Sequence, residues 1–113
     1  MLRQGELVLI PVPFTDLSSQ KRRPVIIISS TQYNRHSRDA LVVAVTSNPD
    51  LVPFSFTIDN PDLESGNLKK PSVIRADKIY ALDQTLIIKR FGVVNQVVID
   101  RIFILIQEII LGT

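Results

Sequence analysis

A change of hydrophobic period near residue 95 constrains the fold of this chain more than any other feature. Before it, apolar residues come in short, β-branched runs separated by turn residues. After it, Val98, Ile102, Leu105, Ile106 and Ile109 recur at helical spacing, with Asn95 as a reasonable N-cap and Gly112 as a terminator. Many short strands closed by one helix predict a mainly β domain with an appended helix, packed as a small barrel or a strongly bent sheet. A length of 113 residues fits a single domain spanning 1–113.

The strands read as follows. Glu6 to Ile10 is a nearly continuous apolar run, and Pro11-Val12-Pro13 puts its end at an edge or a bulge. Phe14 to Arg22 is polar and turn-rich. Pro24 to Ser29 holds Val25-Ile26-Ile27-Ile28, the composition of a buried central strand. Thr31 to Asp39 is irregular, with room for one helical turn. Leu41 to Thr46 is the next buried strand, closed by Ser47-Asn48-Pro49-Asp50. Phe54, Phe56 and Ile58 alternate with Ser55 and Thr57, as in a half-buried strand. Asn60 to Lys70 reads as a loop. Further strands are expected at Ser72 to Ala76, continuing to Leu82, and at Leu86 to Phe91.

The helix is apolar beyond its main stripe, at Ile99, Phe103, Ile104 and Ile110. One face against a barrel needs one stripe. The excess calls for a second covered face, most simply in a homodimer, or for a deep internal position. The run Val97 to Leu111 is broken by Asp100, Arg101, Gln107 and Glu108, short of the roughly 18 unbroken apolar residues of a membrane span. The first residues reach Glu6 before any apolar run, unlike a signal peptide. A soluble protein is expected.

There are no cysteines, which excludes disulfides, thiolate metal sites and cysteine catalysis and fits the cytoplasm. No zinc-binding cluster or polycarboxylate metal site is visible, and no cofactor is implied. The net charge of +2 says little alone, but basic residues cluster at Lys21-Arg22-Arg23, Arg35/Arg38, Lys69-Lys70, Arg75/Lys78 and Lys89-Arg90. Gathered on one face they would attract phosphate; scattered, they solvate loops and strand ends.

Several segments resemble, in order, the MazF/PemK/Kid family. They are Gly5-Glu6-Leu7-Val8, Pro13-Phe14-Thr15-Asp16 leading to Lys21-Arg22-Arg23-Pro24-Val25, Val45-Thr46-Ser47, Pro71 to Lys78 with Ile79 to Asp83, and Phe91-Gly92 with the terminal helix. Each segment alone is weak, and their joint order and spacing carry the resemblance. It implies an SH3-like barrel of the CcdB/Kid/MazF type with a C-terminal helix and a homodimer. It also implies sequence-selective, metal-independent cleavage of single-stranded RNA at short sequences, restrained by a cognate antitoxin protein.

RNA carries its own nucleophile, the 2′-hydroxyl. Cleavage to a 2′,3′-cyclic phosphate needs a proton acceptor, a donor for the leaving 5′ oxygen, and positive charge for the transition state. Functional arginines and threonines of the family match Arg23 and Thr46. Arg23 offers a permanently charged fork for phosphate, and Thr46 a hydroxyl that donates and accepts. Arg75 and Asp77 match the Arg-x-Asp of the Kid branch; two apart on a strand, they share a face. They read as base with acid or stabiliser, or as a structural ion pair. Lys21, Arg22, Asn48 and Phe14 are candidate RNA contacts. His36, the single histidine, lies in a polar loop, whereas Kid-like members carry a catalytic histidine in the first loop, where this sequence has none. Two rivals keep the fold. A CcdB-like gyrase-binding toxin needs a carboxyl-terminal Trp that is missing here, and a catalytically silent, antitoxin-binding barrel needs no site at all.

Overall fold

The computed structural model describes residues 1–12 and 21–113. Strands β1 (Glu6–Val12), β2 (Lys21–Ile27), β3 (Asp39–Thr46), β4 (Ser55–Ile58), β5 (Leu63–Gly66), β6 (Ser72–Asp83) and β7 (Lys89–Val94) form one seven-stranded antiparallel sheet. Its order is β4-β6-β3-β2-β1-β7-β5, and it curls as a half-barrel. Helix α1 (Thr31–His36) joins β2 to β3, and helix α2 (Gln96–Leu111) ends the chain.

Two apolar clusters explain why the central strands are apolar on both faces. Leu7, Ile26, Val43, Val45 and Ile74 pack beneath α2 with Val98, Ile99 and Ile102. On the other face Val8, Ile10, Val25, Ile27, Ala40 and Val42 pack with Leu2 and Leu82. Successive residues of a strand point to opposite faces, so both sets come from the same runs.

Both strand prolines sit where the ladder is one-sided. Pro11 pairs with Arg22 on β2, but β7 pairs only with Glu6 to Leu9. Pro24 pairs with Leu9, while β3 begins pairing at Val25. A missing amide hydrogen costs little at such places.

The helix has the expected limits. The Asn95 side chain accepts from the Val98 amide at 3.3 Å, and Gly112, at φ 75°, donates its amide to Glu108. Its buried stripe is Val98, Ile99 and Ile102, with Leu105 and Ile106 partly buried. Ile99 therefore belongs to the core, not to the outer surface, and Ile109 is exposed.

Other boundaries shift. Asn60 to Lys70 is not a plain loop: a capped 3-10 turn (Asn60–Asp62) leads into β5, which pairs with β7. The last strand starts at Lys89, not Leu86, because Gln84 to Leu86 forms another short 3-10 turn. Both turns are capped by aspartate side chains, Asp59 and Asp83, a local hydrogen-bond choice that hydrophobic period does not reveal.

Candidate active site

Strand register places the basic residues. On β2, Arg23 pairs with Ile10, and two residues on Val25 pairs with Ala44 of β3. Ala44 in turn pairs with Arg75 of β6. Arg23, Val25, Ala44 and Arg75 thus share one sheet face, and small Ala44 leaves room between the two guanidinium-bearing strands. A groove of about 610 Å³ opens there. Its walls include Arg23, Thr46, Asn48, Arg75, Lys78 and Tyr80. Ile10, Val12 and Val25 supply apolar wall, and Asp50 and Val52 come from the loop after β3.

The end of β3 is set by two side-chain turns in series. Thr46 Oγ1 accepts from the Asn48 amide at 3.1 Å, and Asn48 Oδ1 accepts from the Asp50 amide at 3.0 Å. These bonds leave the Thr46 hydroxyl hydrogen and the Asn48 amide group to donate into the groove.

β6 carries an irregularity at the site. Ala44 pairs with Arg75 but Val43 pairs with Ile79, so Ala76, Asp77 and Lys78 have no β3 partner. Such a bulge re-aims side chains. Arg75 Nε and Nη2 donate to the two Asp77 carboxylate oxygens at 3.0 and 2.9 Å. The bidentate pair holds the Asp77 carboxyl below its ordinary pKa, chiefly through the Arg75 hydrogen bond, and raises Arg75 in the same way. Arg75 is thereby locked as a cation, with its remaining N–H groups free for a ligand.

Arg23, Thr46, Asn48 and Arg75 are brought to one groove. Asp77 lies behind Arg75 and is not part of the wall. Lys21 and Arg22 precede Arg23 on β2, exposed and outside the wall. Phe14 lies outside the described residues. His36 ends α1, exposed, beside the start of β3; Thr46 is at the far end of that eight-residue strand. Strand rise makes that separation on the order of 23 Å. Lys78, Tyr80 and Asp50 were not anticipated as wall residues. Lys78 stood in a recognised basic cluster, but which face it takes depends on the bulge. Among the described residues no three His, Cys, Asp or Glu side chains gather as a metal-binding group, and no helix is long and apolar enough to cross a membrane.

No curated protein matches the chain in sequence. Solved structures match in fold. An endoribonuclease from a mycobacterial species, in complex with its cognate antitoxin, is 19% identical, with a TM-score of 0.77 over 97% of this chain and 95% of that one. A MazE–MazF complex from Deinococcus radiodurans gives 21%, 0.74, and 96% and 94%. A MazF toxin of Mycobacterium tuberculosis gives 16%, 0.73, and 91% and 93%. The description of a PemK-like, MazF-like toxin of type II toxin-antitoxin system matches residues 3–110. The chain belongs to that family of toxins.

Proposed function

We propose that the groove cleaves single-stranded RNA without a metal, by attack of a 2′-hydroxyl on the adjacent phosphorus. The observation that carries this reading is the convergence of Arg23, Thr46 and Arg75, from three strands, on one groove. Among the described residues, three cationic side chains against a single carboxylate line it, a charge balance suited to a phosphodiester. The mycobacterial endoribonuclease and the MazF toxins share the fold.

In this reading Arg23 and Arg75 hold the phosphate oxygens and stabilise the charge that builds there during attack. Arg75 acts as a stabiliser, since its raised pKa makes it a poor proton donor. Thr46 donates its hydroxyl to a phosphate oxygen, and Asn48 contacts the RNA. Asp77 fixes the fork of Arg75. Asp50, the carboxylate in the wall, takes the 2′-hydroxyl proton. The bond to the 5′ oxygen then breaks and that oxygen takes up a proton from water, leaving a 2′,3′-cyclic phosphate and a 5′-hydroxyl. Lys21, Arg22 and Phe14 remain expected contacts for flanking nucleotides.

The partners follow from the family. An acidic, partly disordered antitoxin segment would cover the basic groove and fold on binding. The exposed side of α2, with Ile104 and Ile110, would meet a second copy of the chain. The cytoplasm is the expected compartment.

The test is incubation with EDTA present, on a long single-stranded RNA and on its DNA equivalent. RNA alone should be cut. Arg23→Ala should lower the rate by about 10²- to 10³-fold, the loss typical of a transition-state charge contact. The Arg23 side chain has no hydrogen-bond or ion-pair partner among the described residues, so truncating it should leave the melting temperature unchanged. An intact RNA after long incubation would return the chain to a silent, antitoxin-binding barrel.

A further inference from the structure

A second cavity, of about 360 Å³, adjoins the groove. Pro24 and Val45 belong to the walls of both. The β2–β3 ladder ends at Val25 and Ala44, one residue short of that pair, so the two cavities meet where the strands stop bonding. Lys69, Lys70 and Lys89 rim the second cavity, and among the described residues no acidic side chain lines it. All three lysines are exposed, and none is in an ion pair with a described residue.

The lysines stand on a fixed frame. Asn60 grips Leu68 just before them, its Oδ1 accepting from the Leu68 amide at 2.7 Å and its Nδ2 donating to the Leu68 carbonyl at 3.3 Å. After them, the Ser72 hydroxyl donates to the Lys70 carbonyl at 3.3 Å. Lys89 faces Leu9 across the β1–β7 ladder. Phe91, in the same wall, is the bulge residue of β7: Leu7 pairs with Gly92 and Val8 with Arg90, leaving Phe91 between them without a partner. An aromatic wall beside a row of ammonium groups is the combination that binds single-stranded nucleic acid.

We propose that this lysine-rimmed cavity is a flanking subsite of the nuclease groove, taking the backbone phosphates of nucleotides next to the cleaved linkage. The proposal rests on the ribonuclease reading above. A polymer seated at Arg23 and Thr46 must leave the groove, and the Pro24–Val45 junction leads it into the lysines. A peptide adding itself as a strand is disfavoured here, because the wall strand β1 is hydrogen-bonded on both sides at Leu9.

The experiment first maps the cleavage site on a long RNA, then compares long and stepwise-trimmed 2′-O-methyl versions for binding across salt concentrations. The protein is compared with its triple variant Lys69→Ala, Lys70→Ala, Lys89→Ala. The variant should bind the long RNA on the order of tenfold more weakly at moderate salt. Its salt slope should fall by about 2, from roughly 0.7 per lysine on a single strand. The difference should vanish on RNA trimmed to the cleaved dinucleotide, and the melting temperature should be unchanged. An unchanged slope on the long RNA, or an equal loss on the trimmed one, overturns the subsite while the nuclease stands. Loss of binding to a poly-glutamate peptide with the RNA slope intact also overturns it and assigns the cavity to an acidic protein segment. A wild-type protein that neither binds nor cuts RNA removes the nuclease reading itself, and the subsite with it.

Discussion

Arg23 and Arg75 reach the same groove under different constraints. The Arg23 side chain is exposed and without a partner among the described residues, whereas that of Arg75 is clamped by Asp77 in a bidentate pair. That difference separates the carboxylates. Asp77 has both oxygens on Arg75, and in our account it acts through that residue. Asp77→Asn should therefore cost about tenfold in kcat in the native background and nothing further in Arg75→Ala, a coupling that a double-mutant cycle reads directly. Asp50→Asn should lose about 10²-fold in either background, as expected of a proton acceptor. The pair also has a pH signature. The Asp77 carboxyl is lowered in the folded state, so its stabilising contribution is present above the ordinary carboxylate range and is lost as pH falls through the lowered value. Stability measured from pH 7 down to 5 should not distinguish Asp77→Asn by any change of slope; a difference should emerge only in stronger acid. Arg23, Thr46 and Arg75 could be singled out as groove residues because the family-like segments hold them, and Asn48 because it stands in the turn signal that closes β3. Asp50 and Tyr80 were not, since their places depend on two chained side-chain turns and a bulge.

Single elements show where sequence reading succeeds. The limits of α2 were readable to the residue because Asn95 and Gly112 are chemically specific caps. The apolar cores of β2 and β3 were readable from their β-branched runs. β5 was not, because Leu63 to Gly66 is mostly exposed and carries no period, existing only through its pairing with β7. The split of the β3–β6 ladder into two halves was equally hidden, as three residues without a β3 partner look like any others in a strand. Gly5 shows the opposite case, where a motif residue has a plain mechanical reason. Its φ is 92°, and a Cβ there would lie 2.8 Å from Ile99 Cδ1, at the seat of α2. Gly5→Ala should lower unfolding stability by about 1–3 kcal/mol from backbone strain and displaced packing. Gly112→Ala, with φ 75° and open space around it, should cost only about 1 kcal/mol. Denaturant titration of both variants checks the ranking.

At the scale of the whole molecule, one side of the curled sheet is occupied by α2, and the groove and its lysine-rimmed neighbour meet where β2 and β3 part. The outer side of α2 is left apolar: Ile104 is 58% and Ile110 70% exposed. A protomer gains nothing from these side chains alone, and a second copy covering them would bury apolar area at about 25 cal/mol per Å². Ile104→Asp should turn a dimer into a monomer in sedimentation velocity without lowering helix content; an unchanged mass would place the dimer contact elsewhere or remove it. In the reading proposed above, the groove makes the RNA cut itself through its own 2′-hydroxyl. The most direct test places a single 2′-O-methyl group on the nucleotide 5′ to the mapped cut, with EDTA present. We predict that cleavage stops at that linkage alone, while the unmodified RNA yields a 2′,3′-cyclic phosphate and a 5′-hydroxyl. Continued cleavage at the blocked linkage, or products ending in a 5′-phosphate, would rule out attack by the 2′-hydroxyl.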